Sequence, residues 1–256
     1  MGSSNEREFP SAIRLAILAI FTSLVCVSTM VFSIYVPQTR GFFNIGETMV
    51  YITALLFGPF IGAFAGGVGS MFADLFLGYW YYAPATLIIK ACEGGIVGFI
   101  GLRKPKLGSK IQWKILTLVV GLIAGSLLAY IGSSFYTGLV ELYLGIPPPT
   151  SPTIVFFVPS EFWYALGILI VALIALMGFV FEPEFGWLVL TTLIGGSVMV
   201  LGYFLYQQLL IGPLFNIQVI AIAEIPINIG QMIVGIIVAI PVVRFAWRSL
   251  PSLKRL

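Results

Sequence analysis

The chain consists of long apolar runs separated by short polar, proline-containing or glycine-containing breaks. About 20 apolar residues in a helix cross the hydrocarbon core of a bilayer, which is about 30 Å thick. We interpret eight runs as membrane helices: residues 11–36, 47–57, 60–77, 84–101, 115–138, 159–181, 187–206 and 218–243. The pattern predicts an all-α, polytopic helical bundle that forms a single membrane domain over residues 1–256.

The run 47–57 is the ambiguous one. It contains eleven residues before Gly58-Pro59, and a helix of that length rises only about 16 Å. Either it is a short helix in a hairpin with 60–77, or residues 47–77 form one kinked crossing.

The basic residues distinguish these two arrangements. Lys and Arg concentrate near the N-terminus, between residues 103 and 114, and after residue 244. Cytoplasmic flanks of membrane helices collect Lys and Arg, so all three groups belong on the same side. That requires an even number of crossings between them. We therefore predict the hairpin, eight transmembrane helices and two cytoplasmic termini, with Arg40 outside and Lys90 within the membrane.

Composition excludes several classes of protein. Of the 256 residues, 59% are apolar and 9% are charged, against about 25% charged in an ordinary soluble domain. The chain has no histidine and two cysteines, so a Cys₄ or Cys/His zinc site and a Ser-His hydrolase are excluded. It has no GxxxxGK[ST] loop for ATP. We expect neither an enzyme nor a cofactor, although an intramembrane aspartyl pair that includes Asp74 stays open.

A few ionisable residues lie inside the predicted helices, where a charge costs at least about 2.5–3.5 kcal/mol. Lys90 and Glu93 are three residues apart and share one helix face. One interpretation is structural: Lys90 pairs with Glu93 or Glu224 and holds the helices together. The other is a polar, aromatic-lined pocket open to the outside, because amide and aromatic residues cluster at the same end. Its candidate substrate-binding residues are Asn44, Glu47, Asp74, Tyr82, Lys90, Glu93, Glu224, Asn228 and Gln231.

Other residues at this end have a second interpretation. Tyr79, Trp80 and Tyr81 either line the pocket or anchor the chain among lipid headgroups. The glycines between Gly62 and Gly101 have spacings of three and four, which indicates close helix packing rather than nucleotide binding. The connection 139–158 contains several prolines and is predicted to be an extended loop.

Several of these segments together resemble the substrate-binding S components of energy-coupling-factor (ECF) transporters. They are Gly41-Phe42-Phe43-Asn44-Ile45-Gly46-Glu47, Gly66 to Leu75, Tyr82 to Lys90 with Glu93-Gly94, and Ala223-Glu224-Ile225-Pro226-Ile227-Asn228 with Gln231. The resemblance implies a six-helix core, with four helices in 11–101 and two in 187–247. Residues 102–186 then form an inserted helical hairpin, for which we expect a peripheral role.

The resemblance also implies a function. S components capture a vitamin or its precursor outside the cell and carry it inward with a transmembrane coupling subunit and two cytoplasmic ATPases. They dock the coupling subunit through an AxxxA motif in the first helix, which matches Ala12 and Ala16. Without the resemblance, this small-residue face is equally compatible with contacts inside the bundle. The implied location is the prokaryotic plasma membrane, as a multi-pass protein that binds no nucleic acid.

Charge limits the substrate class. The pocket carboxylates outnumber Lys90, so we expect a neutral or weakly basic heteroaromatic compound, since a phosphate requires more cations. Similar sequences are often labelled riboflavin transporters, a label that does not define the ligand here. The alternative is a stand-alone secondary transporter that moves protons on Glu93 and Glu224.

Overall fold

The structure is a computed structural model that describes residues 11–103, 110–145, 149–180 and 183–250. Its helices are α1 Ser11–Val31, α2 Glu47–Leu77, α3 Ala83–Gly101, α4 Lys110–Phe135, α5 Ser160–Val180, α6 Pro183–Tyr206, α7 Gly212–Phe215 and α8 Glu224–Ser249. A π-helical turn, Gln207–Ile211, joins α6 to α7, and a 3₁₀ turn, Ala221–Ala223, precedes α8. The strands are β1 Ser33–Val36, β2 Gly41–Asn44, β3 Gly138–Leu144 and β4 Ile154–Val158.

The predicted helical bundle is confirmed. Among the described residues, six helical segments are long and apolar enough to cross a membrane, and Ser160–Leu176 is a shorter apolar helix. The basic residues between 104 and 109 and beyond 250 lie outside the described residues, as do Pro147 and Pro148. The number of crossings and the side on which each terminus lies stay predictions.

Helix α2 is the predicted hairpin, folded back on itself at Gly58. This residue has φ 83° and ψ −172°, a combination that is essentially restricted to glycine. A Cβ placed on Gly62 would lie 2.8 Å from Cα of Ala54. Residues eight apart in a straight helix are separated by about 12 Å along its axis, so the arms 47–57 and 60–77 must run antiparallel.

Glycines allow the second arm of α2 to pack directly on α3. A Cβ on Gly94 would lie 2.7 Å from the carbonyl carbon of Gly62, and one on Gly67 would lie 2.7 Å from the carbonyl oxygen of Leu87. Backbones this close leave no room for side chains. The interpretation of these glycines as packing residues is confirmed.

A four-stranded antiparallel sheet, in the order β2-β1-β3-β4, lies at the end of the bundle predicted to be outside. We predicted that the residues of β1 belong to the first helix and most of the other strand residues to loops, so the all-α description is incomplete. Strand β1 ends an apolar run that also contains α1, and a short apolar strand is not distinguishable from the end of a helix by periodicity. The connection 139–158 is largely the β3–β4 hairpin, with five paired positions.

Helix α8 begins later than predicted. Residues 216–220 are not helical, and α8 starts at Glu224. Glu224 therefore lies in the first turn of α8, not about six residues into a helix as the apolar run had indicated.

Candidate functional site

A small cavity lies between the β1–β2 hairpin and the adjacent ends of α2, α3, α6 and α8. Its volume is about 40 Å³. Since one water occupies about 10–15 Å³ of such a volume, the cavity has room for a few waters. Its lining consists of Thr29, Gly41, Phe42, Asn44, Gly46, Glu47, Ser70, Asp74, Tyr82, Thr86, Lys90, Tyr203, Glu224, Asn228 and Gln231. We call it the outer cavity.

The structure brings together eight of the nine predicted binding residues on this lining. The hairpin in α2 is the main reason, because it returns Asp74 on the second arm to the level of Glu47 on the first. Glu93 is the exception: it is fully buried behind Lys90 and does not line the cavity.

Lys90, Glu47 and Glu93 form a buried ion cluster at one wall of the cavity. Lys90 pairs with Glu47 across the interface between α2 and α3, and its Nζ lies 3.1 Å from Oε2 of Glu93. The hydroxyl of Tyr51 donates to Oε1 of Glu93 at 3.0 Å. Lys90 therefore pairs with Glu93, as the structural interpretation predicted. Its second partner is Glu47 rather than Glu224.

The lining also carries polar atoms that no described residue satisfies. Asp74, Glu224 and Asn228 are at most 5% exposed. Oδ2 of Asp74, Oε2 of Glu224 and Nδ2 of Asn228 have no hydrogen-bond partner in the described part of the chain. Because buried polar atoms are nearly always paired with protein or water, this part of the lining is suited to a ligand that offers both donors and an acceptor.

The amide residues Asn228 and Gln231 of α8 face the cavity and the sheet. Nε2 of Gln231 donates to Oδ1 of Asn228 at 2.8 Å, and the backbone N–H of Asn44 donates to Oε1 of Gln231 at 3.1 Å. The side chain of Asn44 in turn accepts from the backbone N–H of Gly46 at 2.8 Å. These bonds connect α8 to β2 through the amides.

Tyr203 and Thr86 also line the cavity but were not predicted. Tyr203 donates to Oγ1 of Thr86 at 3.0 Å, which joins α6 to α3. Isolated tyrosine and threonine residues are ordinary in membrane helices, so nothing in the sequence singled them out. The other lining residues that were missed are Thr29, Gly41, Phe42, Gly46 and Ser70.

The aromatic residues before α3 separate into two groups. The ring of Tyr79 stacks on Phe42 with centroids 4.6 Å apart, and the hydroxyl of Tyr81 donates to the carbonyl of Arg40 at 2.8 Å. Burial raises the pKa of Tyr81 to about 12. Trp80 is 58% exposed, as expected for an anchor among lipid headgroups.

Ala12 and Ala16 lie at the other end of the molecule. Both are exposed on α1, whose buried residues, Val25, Cys26 and Thr29, all lie in its second half. This face is therefore exposed in the described chain, and its role in docking stays a prediction.

A family model described as "ECF-type riboflavin transporter, S component" matches residues 10–180. The chain belongs to this family. The S component is thus the substrate-binding subunit of a vitamin-type transporter and a multi-pass membrane protein. Its family consists of transporter subunits rather than enzymes. The family works with coupling and ATPase modules.

One relative is a Pyrococcus woesei protein named "Uncharacterized protein in gap 3'region". It is 36% identical over 129 residues, which cover 48% of the S component and 86% of the relative. The family match includes the predicted insertion up to residue 180 and ends before α6. The division into core and insertion stays a prediction.

Proposed function

We propose that this S component binds a neutral or weakly basic heteroaromatic vitamin, or a vitamin precursor, in the outer cavity. It then moves the compound inward together with a transmembrane coupling subunit and two cytoplasmic ATPases. The observation that carries the proposal is the wall formed by Asp74, Glu224 and Asn228, whose buried polar atoms are unpaired in the described chain.

The charges around the cavity argue against an anionic substrate. Lys90 is the one basic residue that the described part of the chain places on the lining, and Glu47 and Glu93 already pair with it. Two further carboxylates, Asp74 and Glu224, lie on the lining. A phosphate or dicarboxylate would meet an excess of negative charge in a medium that screens it poorly.

The same lining suits a heteroaromatic ring with polar edges. N–H or O–H groups of a ligand can donate to Asp74 and Glu224, and a ring nitrogen or carbonyl can accept from Asn228. The rings of Phe42 and Tyr203 supply aromatic surface. Riboflavin, the compound named in the family description, has such edges and is the first compound to test.

Binding experiments with the purified protein test this proposal. Riboflavin is titrated while its fluorescence is followed, and riboflavin 5′-phosphate serves as the matched anionic compound. We expect much weaker binding of the phosphate. Any small molecule that co-purifies is identified by mass spectrometry, and an anionic one would contradict the proposal.

Variants at the cavity wall test the site itself. Asn228→Ala removes a buried donor, for which we expect a loss of affinity of about 5- to 100-fold. Asp74→Asn removes an acceptor. Ser197→Ala is the control, because Ser197 is exposed on α6 and its hydroxyl bonds only to the carbonyl of Leu193. Unchanged affinity in both cavity variants would exclude the outer cavity as the binding site.

The docking role of Ala12 and Ala16 is tested separately from binding. Ala16→Leu enlarges an exposed small-residue position on α1, whereas Val31→Leu changes an exposed position at the opposite end of α1. We expect Ala16→Leu to lower uptake in cells that contain the coupling subunit and ATPases, with ligand affinity unchanged. Equal uptake by both variants would contradict docking at this face.

Oδ2 of Asp74 and Oε2 of Glu224, which have no hydrogen-bond partner among the described residues, favour one alternative, a proton-coupled secondary transporter. Uptake that persists without the partner ATPases, and that an uncoupler abolishes while ATP stays intact, would support that alternative. Uptake that requires the ATPases supports the ECF mechanism.

A further inference from the structure

Strand β3 pairs with β1, and β1 pairs with β2, which lines the outer cavity. Strand β2 contributes Gly41, Phe42 and Asn44 to the lining. β1 pairs with β2 on one side and with β3 on the other. Because β3 belongs to the segment predicted to be inserted, that segment reaches the cover of the cavity, and its expected peripheral role is wrong at this end.

The inserted segment is anchored to α8 beside the cavity. The hydroxyl of Tyr136, which follows α4, donates to the carbonyl of Ala223 at 2.7 Å. Nε1 of Trp163 in α5 donates to the carbonyl of Tyr136 at 2.9 Å. Val36 of β1 packs with Tyr136 and Ala223 in one buried cluster. The base of β3 is therefore tied to the residue that precedes Glu224.

A ligand the size of a heteroaromatic vitamin requires part of the cavity wall to move. The cavity volume of about 40 Å³ holds a few waters but no heteroaromatic vitamin. The helical walls supply most of the main buried core around Tyr51 and Met199, whereas the β1–β2 hairpin, a connection between α1 and α2, contributes Phe42 to that core and packs Tyr35 against it. The hairpin is thus the part of the wall that can move at the least cost in buried contacts.

The sheet is least connected between β1 and β3. β1 and β2 are paired at four positions, β3 and β4 at five, and β1 and β3 only at Ile34–Leu144 and Tyr35–Tyr143. The rings of Tyr35 and Tyr143 meet edge to face with centroids 5.6 Å apart. Separation along this line would leave both hairpins intact and release the β1–β2 hairpin from the inserted segment, while its hydrogen bonds to Gln231 and Tyr81 would still have to open.

We propose that β3 is a latch for the substrate gate. Its pairing with β1 holds the β1–β2 hairpin over the cavity, and the gate opens when β1 separates from β3 while β3 stays anchored through Tyr136. That the gate admits a vitamin-type substrate rests on the proposed function. The latch itself depends on the pairing of β1 with β3 and can be tested without a ligand.

A disulfide across the latch tests the proposal. The variant Tyr35→Cys/Tyr143→Cys is made with Cys92→Ala, which removes the exposed native thiol. Oxidation should slow hydrogen exchange of the amides of residues 41–44 by about 30-fold or more, and reduction should restore it. Association and dissociation of riboflavin should slow in parallel. The control, Val140→Cys/Phe156→Cys, joins paired positions of β3 and β4 and should change neither rate.

The outcomes separate the latch from the identity of the substrate. Equal hydrogen exchange in the oxidised and reduced forms would overturn the latch. A response of exchange to oxidation without riboflavin binding in any form would support the latch and contradict riboflavin as the substrate. The variant Tyr143→Ala needs no oxidation and removes one cross-strand side-chain pair. It should speed hydrogen exchange of the amides of residues 41–44 by about 1.4- to 5-fold, which corresponds to the stabilisation that one such pair provides. No change in that variant would also count against the latch.

Discussion

Replacing Lys90 tests whether the buried ion cluster stabilises the fold. Lys90→Met removes the charge and retains an unbranched side chain of similar length. Lys90 is 6% exposed, and its partners Glu47 and Glu93 are 1% and 0% exposed. The variant therefore leaves two carboxylates in the protein interior without their cation.

The expected magnitude follows from that burial. Removing one partner of a buried ion pair typically costs about 3–5 kcal/mol, because the remaining charge is uncompensated. We expect Lys90→Met to lower the free energy of unfolding by this amount. Since the cluster joins the first arm of α2 to α3 within the buried core, unfolding should remain a single transition at a lower midpoint.

Unfolding of the purified protein in detergent measures this loss. The triple variant Lys90→Met/Glu47→Gln/Glu93→Gln removes all three charges and should recover most of the stability. Lys114→Met is the control, because Lys114 lies near the start of α4 with Nζ 4.8 Å from the ring centroid of Phe179. We expect it to cost at most about 1 kcal/mol. Parental stability of Lys90→Met, or a triple variant weaker than the single, would refute the reasoning.

Three further predictions concern packing, backbone and pH. Gly94→Ala places a methyl group against the backbone of Gly62 and should cost about 1–3 kcal/mol. Gly95→Ala meets no atom closer than 3.5 Å and should stay within about 0.5 kcal/mol. Gly58→Ala, at φ 83°, should cost about 1–3 kcal/mol, again measured by unfolding. The pKa of Tyr81 is about 12 in the folded protein and about 10 unfolded. The folded state therefore retains the proton to higher pH than the unfolded state. The melting temperature should decrease as the pH rises from about 10 to about 12, and it should decrease less in Tyr81→Phe.

The hairpin in α2 was predictable because two kinds of information agree on it. Gly58-Pro59 marks a break, and the distribution of basic residues requires an even number of crossings. Periodicity alone does not find this turn, because both arms are apolar on most faces. The charge pattern supplied the long-range constraint, and the backbone of Gly58 is the local feature that satisfies it.

The four strands were not predictable in the same way. β1 and β2 are four residues each, too short for an alternating pattern to stand out next to a membrane helix. The pairing of β1 with β3 joins Tyr35 to Tyr143, over a hundred residues later in the chain. Nothing local to either segment specifies that contact, on which the proposed latch rests.

For the binding residues, the sequence indicated which residue types to expect but not the direction in which each side chain points. An i, i+3 spacing places Lys90 and Glu93 on one face without showing which of them reaches the cavity. In the structure Lys90 reaches it and Glu93 holds Lys90 from behind. Ordinary polar residues such as Thr86 carry no signal of their own, because hydroxyl side chains in membrane helices commonly bond to their own helix backbone.

The triple variant also separates two roles of Lys90. If the ammonium group serves mainly to neutralise Glu47 and Glu93, the folded triple variant should retain riboflavin binding, because a neutral ligand loses no ion pair. The formal charge of the cluster changes from −1 to 0 in that variant, so its discrimination against riboflavin 5′-phosphate should decrease, measured as the ratio of the two dissociation constants. Loss of riboflavin binding by a stable triple variant would instead show that Lys90 or Glu47, both on the lining, contacts the substrate directly.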